Sequence, residues 1–315
     1  MDDRLAARFG VRVGDLRPWH YGDPFFQRPP QSANPAIDGL FAESDIEALA
    51  VRTYEGLGLD IRDILARSDM YARDKKNQHA FCMDVDRKGD VRVLCNLESN
   101  VRWAETILHE FGHGVYDKYN DPELPYILRR PPHTLSTEAI AMLMGRLALD
   151  EEWLMNVAGI EPAAVGRLAP DLREQGRLGM LIFVRWILVM CNFERELYLD
   201  PAQNLNALWW DMEEKYQLLH RPDGRDEPDW ASKIHLALHP VYYQNYMLGE
   251  LSASQLKRHI DANLGGLVDN PEAGRFLIEQ VFRPGAVREW DSALEYATGE
   301  KLDPRYFVEE FVEPA

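Results

Sequence analysis

His109-Glu110-Phe111-Gly112-His113 is a run of residues that can bind a metal and activate water. On a helix, histidines at i and i+4 project from one face about one turn apart, so both imidazoles can converge on a single ion. Glu110 points into the same cavity without ligating, where it can take a proton from a water held by the metal. A five-residue pattern of this kind also arises by chance, so the flanking sequence must position it. The run from Val101 to Tyr116 predicts a helix, with Asn100 as N-cap and an apolar stripe of Val101, Ala104, Leu108, Phe111 and Val115. A catalytic zinc holds three protein ligands and leaves a position for water. The third ligand is expected at Glu138, in Ser136-Thr137-Glu138-Ala139-Ile140-Ala141-Met142, opening a second helix through Met142, Leu143, Met144, Leu147 and Ala148. A His-His-Glu set goes with peptide hydrolysis. The ordinary alternative for Glu138 is a first-turn glutamate favoured by the helix dipole; its company with the pentapeptide favours the ligand.

Hydrolysis also needs donors to the oxyanion of the tetrahedral intermediate, one of which typically contributes ~3 kcal/mol. Lys233-Ile234-His235 and His239-Pro240-Val241-Tyr242-Tyr243-Gln244-Asn245-Tyr246 concentrate such donors, with Tyr243 and Tyr246 on one helix face. The competing reading is an amphipathic helix whose tyrosines fill the core, beside a solvated Lys233.

The elements around these residues bound the fold. The chain has 315 residues and a formal net charge of −17, which argues against nucleic acid or an anionic membrane surface as partner. Cys82, Cys95 and Cys191 make no disulfide framework, and the N-terminus has no basic-then-apolar signal, so a cytoplasmic location is expected. Cys82 and Cys95 flank a hairpin turn and are placed to face each other. Leu181 to Cys191, interrupted by Arg185, reads as a core helix too short to cross a bilayer. Residues 1 to 35 read as irregular and rich in Pro and aromatics. Ser44 or Asp45 caps a helix through Leu57. Phe81 to Val85 and Val91 to Cys95 form a hairpin through Asp86-Arg87-Lys88-Gly89-Asp90. From 150 onward the periodicity is helical, roughly 170 to 198, 203 to 219, 240 to 250 and 252 to 263. The expected class is mainly α, a catalytic domain with a small antiparallel sheet beside the zinc helix.

The chain resembles the angiotensin-converting-enzyme-like (peptidyl-dipeptidase A) zinc metallopeptidases, gluzincins related to the oligopeptidases. The likeness runs from about Trp19 to the C-terminus. It includes His79-Ala80, the HExxH helix, Glu138-Ala139-Ile140, Trp209-Trp210 with Lys215-Tyr216-Gln217, and Lys233 and His235 ahead of Tyr243 and Tyr246. Glu272-Ala273-Gly274, Trp290, Ala293-Leu294 and Thr298-Gly299 complete it. The resemblance implies that His109, His113 and Glu138 bind Zn2+, and that Glu110 activates water and hands its proton to the leaving amine. It implies that Tyr246 with His235 stabilises the oxyanion, that His79 and Ala80 pair with substrate backbone by strand addition, and that Lys233 and Tyr243 grip a C-terminal carboxylate. It implies one catalytic domain over 1–315, two lobes around a cleft, acting on peptides.

The chain also departs from the family pattern. Met142 stands where the family has an aspartate orienting a zinc histidine, so another acceptor must hold that ring. Glu213 and Asn245 stand at the positions of chloride-binding arginines, so chloride dependence is not expected. Trp19-His20-Tyr21 lacks the glutamine that the family uses in its carboxylate clamp, which weakens strict dipeptide release. The family's N-terminal lid helices are absent, implying a piece of a longer protein, a more open channel, or a second subunit as cover. The expected function is a zinc peptidase, peptidyl-dipeptidase-like or an oligoendopeptidase. The alternative from another class is a non-catalytic, peptide-binding descendant, which has no need to keep Glu110.

Overall fold

Asp84 and Asp86 make the hairpin. The Asp84 carboxylate accepts from the Arg87 amide at 2.8 Å, and Asp86 accepts from the amides of Lys88 and Asp90 at 2.8 and 3.1 Å. Gly89 takes a φ of 106°, a conformation open mainly to glycine. In the computed structural model, which describes residues 1–30 and 35–313, this turn joins β1 (Phe81–Asp84) to β2 (Val91–Leu94) as an antiparallel pair. Cys82 lies opposite Val93, not Cys95, and all three cysteines are free, so the expected facing pair does not form. Val91, Val93 and Cys95 are buried, whereas Phe81, Met83 and Val85 are exposed. Among the described residues β1 has no second partner strand, which leaves its outer edge open.

The segment before β1 is fixed by a buried lysine. Lys76 Nζ donates to the carbonyls of Asp69 (2.9 Å), Tyr71 (2.8 Å) and Cys95 and pairs with the Asp69 carboxylate at 3.0 Å. A buried ammonium is tolerated when its hydrogen bonds are satisfied in this way.

The motif helix spans Val101–Lys118, and Asn100 caps it by accepting from the Trp103 amide at 3.0 Å. Its partner helix spans Thr134–Gly145, capped by His133. It therefore begins before the point expected from sequence, and Glu138 sits inside it rather than at its opening. Helix-dipole stabilisation falls off within the first turn, so it does not account for the glutamate.

The described chain is mostly helical, with two compact units: Met1–Ala33 with Glu174–Met247, and Asn34–Arg173 with Leu248–Ala315. In the second unit, the buried Arg146 guanidinium donates to Ser254 Oγ (3.2 Å), Glu310 (3.1 Å) and the Glu250 carboxylate, tying helix Arg305–Phe311 to the core. In the first unit, Trp186, Ile187, Val189, Met190 and Phe193 pack with Trp209, Trp210 and Tyr243.

Several elements differ from the sequence expectations. Residues 1–35 are not wholly irregular: a helix covers Asp2–Phe9, with Asp2 and Asp3 in its first turn and Gly10 closing it in the left-handed region; 31–34 lie outside the described residues. The apolar run Leu181 to Cys191 belongs to a helix of 38 residues, Pro162–Leu199, long and apolar enough to cross a bilayer by length and composition, so shortness does not exclude that. The expected 203–219 helix is Leu205–Met212 followed by a wider π turn over Glu213–Gln217. The two expected helices over 240–263 are one, Gln244–Leu264, so Tyr243 precedes it rather than sharing a helical face with Tyr246.

Candidate metal centre and carboxylate clamp

The motif helix and its partner helix touch backbone to backbone. A Cβ on Gly112 would stand 2.7 Å from Ala141 Cα and 3.1 Å from Ala141 N, so only glycine allows this approach. The approach brings Glu138 against the two histidines. Its Oε2 lies 3.7 Å from His109 Nε2 and 3.8 Å from His113 Nε2, and ligand atoms of all three residues fall within 4.8 Å of one another. Ligands about 2.1 Å from a tetrahedral ion stand roughly 3.4 Å apart, so both Glu138–histidine distances lie within a few tenths of an ångström of that spacing. The imidazole planes cross at 85° with centroids 4.9 Å apart, as rings aimed at a common point from one helix face do.

Burial sets the charges. It lowers His109 to about 4 and, with the nearby His109, holds His113 well below the usual range. Both rings are therefore neutral at neutral pH and offer lone pairs. The side chains keep 27% and 16% of their surface open, enough for a ligand to reach them. Glu110 is 7% exposed; burial first, and then the neighbouring Glu138 carboxylate, push it up to about 8. A divalent cation beside the two carboxylates opposes that shift. His113 Nδ1 lies 2.7 Å from Thr137 Oγ1, which gives this ring a partner that sequence reasoning had not named. Met142, where an orienting aspartate was looked for, is 7% exposed and offers only a thioether.

A second cluster forms in the other unit. Lys233 is 9% exposed, and its Nζ donates to Gln27 Oε1 at 2.7 Å, with Tyr243 Oη 3.5 Å from the same oxygen. The ammonium stands 4.9, 5.2 and 5.8 Å from the ring centres of Phe25, Trp186 and Tyr243. Burial lowers Lys233 to about 8, opposed by Asp23. Among the described residues no carboxylate pairs with it within 4 Å. Tyr243 also accepts from Trp186 Nε1 at 3.1 Å. His235, on the short helix Ile234–Leu238, packs its ring 4.8 Å from Tyr243 and 6.2 Å from Tyr246. The surface reading of Lys233 is thereby corrected.

Residues 64–313 match the family model described as peptidase family M3. The chain belongs to that family. An angiotensin-converting enzyme from Theromyzon tessulatum is 23% identical over 250 residues, covering 72% of this chain and 39% of that protein. The chain thus spans about two fifths of the length of the curated relative it matches. It is an angiotensin-converting-enzyme-like member of the gluzincin metallopeptidases, related to the oligopeptidases.

Among the sequence-nominated residues of this M3 peptidase, His109, Glu110, His113 and Glu138 come together in one unit, and Lys233, His235, Tyr243 and Tyr246 in the other. His79 is exposed and Ala80 half-buried, immediately ahead of β1 and its open edge. No glutamine stands beside Trp19, which is 64% exposed; the glutamine that meets Lys233 is Gln27. The signal for Gln27 was faint. Asp23, four residues earlier, accepts from the amides of Phe25 and Gln27 at 2.9 and 3.1 Å, a turn motif readable only as a local loop.

Proposed function

We propose that this M3 peptidase hydrolyses peptides as a peptidyl-dipeptidase-like enzyme, with His109, His113 and Glu138 holding zinc. The carrying observation is the convergence of two neutral imidazoles and Glu138 next to the buried Glu110. Zinc bound there would supply a Lewis acid for the scissile carbonyl and lower the pKa of a water to roughly 7. Glu110 takes the proton of the attacking water and returns it to the leaving amine. Ala80 and His79 present backbone at the open edge of β1 to an extended substrate. Tyr246 and His235 donate to the developing oxyanion, a role resting on the family resemblance. Gln27, Lys233 and Tyr243 bind the substrate's C-terminal carboxylate, a reading supported by a buried ammonium that has no carboxylate within 4 Å among the described residues. Chloride independence is part of the proposal. Glu213 is buried and pushed well above the usual carboxylate range by burial, then by Asp23 and Asp229, surroundings that do not favour an anion. The free cysteines suit a reducing, cytoplasmic setting.

The second reading is an oligoendopeptidase that ignores the substrate's end, which the M3 match accommodates equally. Mass spectrometry of digests made with free and amidated peptides separates the two: dipeptide release lost on amidation supports the first, indifference the second. Glu110→Gln is expected to lower turnover by about 10²–10⁴-fold while leaving bound zinc at one per chain. Near-normal turnover in that variant would defeat the mechanism.

A further inference from the structure

We infer that Thr137 is the positioning residue for the zinc ligand His113, holding its ring through an Nδ1–H···Oγ1 hydrogen bond in place of a carboxylate. The inference rests on the zinc-peptidase reading above. An imidazole that ligates through Nε2 carries its proton on Nδ1, and that N–H needs an acceptor to fix ring and tautomer. The acceptor within reach is Thr137 Oγ1, at 2.7 Å. Met142 cannot serve. Its thioether packs towards Gly249, where an added Cβ would stand 3.3 Å from the sulfur and 3.1 Å from Glu138 Cβ.

Thr137 immediately precedes Glu138, so a single turn of the partner helix supplies both a ligand and the support of a second ligand. The Gly112–Ala141 contact between the two helices sets the distance for both at once. A hydroxyl is also neutral. With Glu138 as the one anionic ligand and, among the described residues, a hydroxyl rather than a carboxylate on His113 Nδ1, the centre keeps more of the ion's positive charge, which favours polarising a carbonyl.

The test uses the full chain with Thr137→Val, which keeps the shape and removes the hydroxyl, and Thr137→Ser, which keeps the hydroxyl. Zinc affinity is read by competition with a chromophoric chelator, alongside the thermal midpoint of the metal-free proteins. Thr137→Val is expected to bind zinc about 10–100-fold more weakly, with Thr137→Ser near the parent. Equal affinity for parent and Thr137→Val overturns the inference and leaves the metal centre standing. Loss in both variants alike also overturns it, since packing would then be responsible. A parent that binds no zinc sinks the reading beneath. A measurement on the parent alone covers a misfolded variant: in zinc-loaded protein, the His113 Nδ1–H is expected as a slowly exchanging proton in nitrogen-15 spectra. A freely exchanging Nδ1–H refutes the role.

Discussion

Replacing Lys233 with methionine tests the clamp most directly, because the walls of its box remain. Phe25, Trp186 and Tyr243 line the ammonium at 4.9–5.8 Å, and methionine fills the same volume with an unbranched, polarisable chain. What disappears is a charged donor. Nζ spends one hydrogen bond on Gln27 at 2.7 Å, leaving donors for a carboxylate. A hydrogen bond to a charged group is worth about 1.5–3 kcal/mol, so kcat/KM for a peptide with a free C-terminus is expected to fall roughly 10- to 150-fold. An amidated peptide has already lost that interaction, and the substitution is expected to change its kcat/KM little. The four rate constants form a double-mutant cycle whose coupling is the clamp. The pH dependence supplies a second arm. Burial lowers Lys233 to about 8, so the side chain is charged below that pH and neutral above it. The parent's preference for the free carboxylate is therefore expected to decline as pH rises past about 8, and Lys233→Met to show no such decline. Equal losses on free and amidated peptides would falsify the clamp and the exopeptidase reading with it.

Gly112→Ala is expected to drive the motif helix from its partner, because the new Cβ meets Ala141 backbone at 2.7 Å. Calorimetry should show a loss of about 1–3 kcal/mol, and zinc titration a weaker site. Asp117 is half-buried and pushed up to about 7 by burial and then by Asp84, against Arg87. Its folded form keeps a proton that the unfolded chain releases near pH 4, so stability falls as pH climbs between about 4 and 7. Asp117→Asn should remove that loss: urea titrations are expected to show a gain of about 1–2 kcal/mol near pH 8, disappearing near pH 4. A constant gain at both pH values would point to packing instead.

The local parts of this fold were legible. Asn100 caps the motif helix as its sequence suggests, and Asp86 to Asp90 turns the hairpin where expected. Both depend on short-range hydrogen bonds between residues a few positions apart. Harder to read were elements whose signals compete. Pro170 suggests a helix boundary, yet helix Pro162–Leu199 runs through it. The Pro- and aromatic-rich stretch after residue 12 obscured the acidic start and Gly10 stop of helix Asp2–Phe9. Hardest was Gln27, which meets Lys233 across 206 positions. No periodicity encodes such a contact. Thr137 was hidden differently: it sits beside Glu138 in sequence, but a search for an anionic partner passes over a neutral hydroxyl.

Both clusters share a physical logic that bears on function. Folding normally avoids burying a charge that the protein does not itself balance, because removing the partner of a buried charge costs several kcal/mol. Around the histidines, the Glu110 and Glu138 carboxylates stand near each other, and burial with mutual repulsion pushes Glu110 up to about 8. At Lys233 the imbalance has the opposite sign, an ammonium set among aromatic faces and one amide oxygen, pulled down to about 8. A cation at the first and an anion at the second would relieve each imbalance and move both groups back towards their ordinary ionisation. Structural ion pairs do not leave this pattern, as Arg146 shows: its side chain is largely enclosed but meets Glu250 and Glu310 directly. A bound cation and a bound carboxylate are the partners these two imbalances call for, so zinc titration and the free-versus-amidated comparison test the proposed function at the places where it would act.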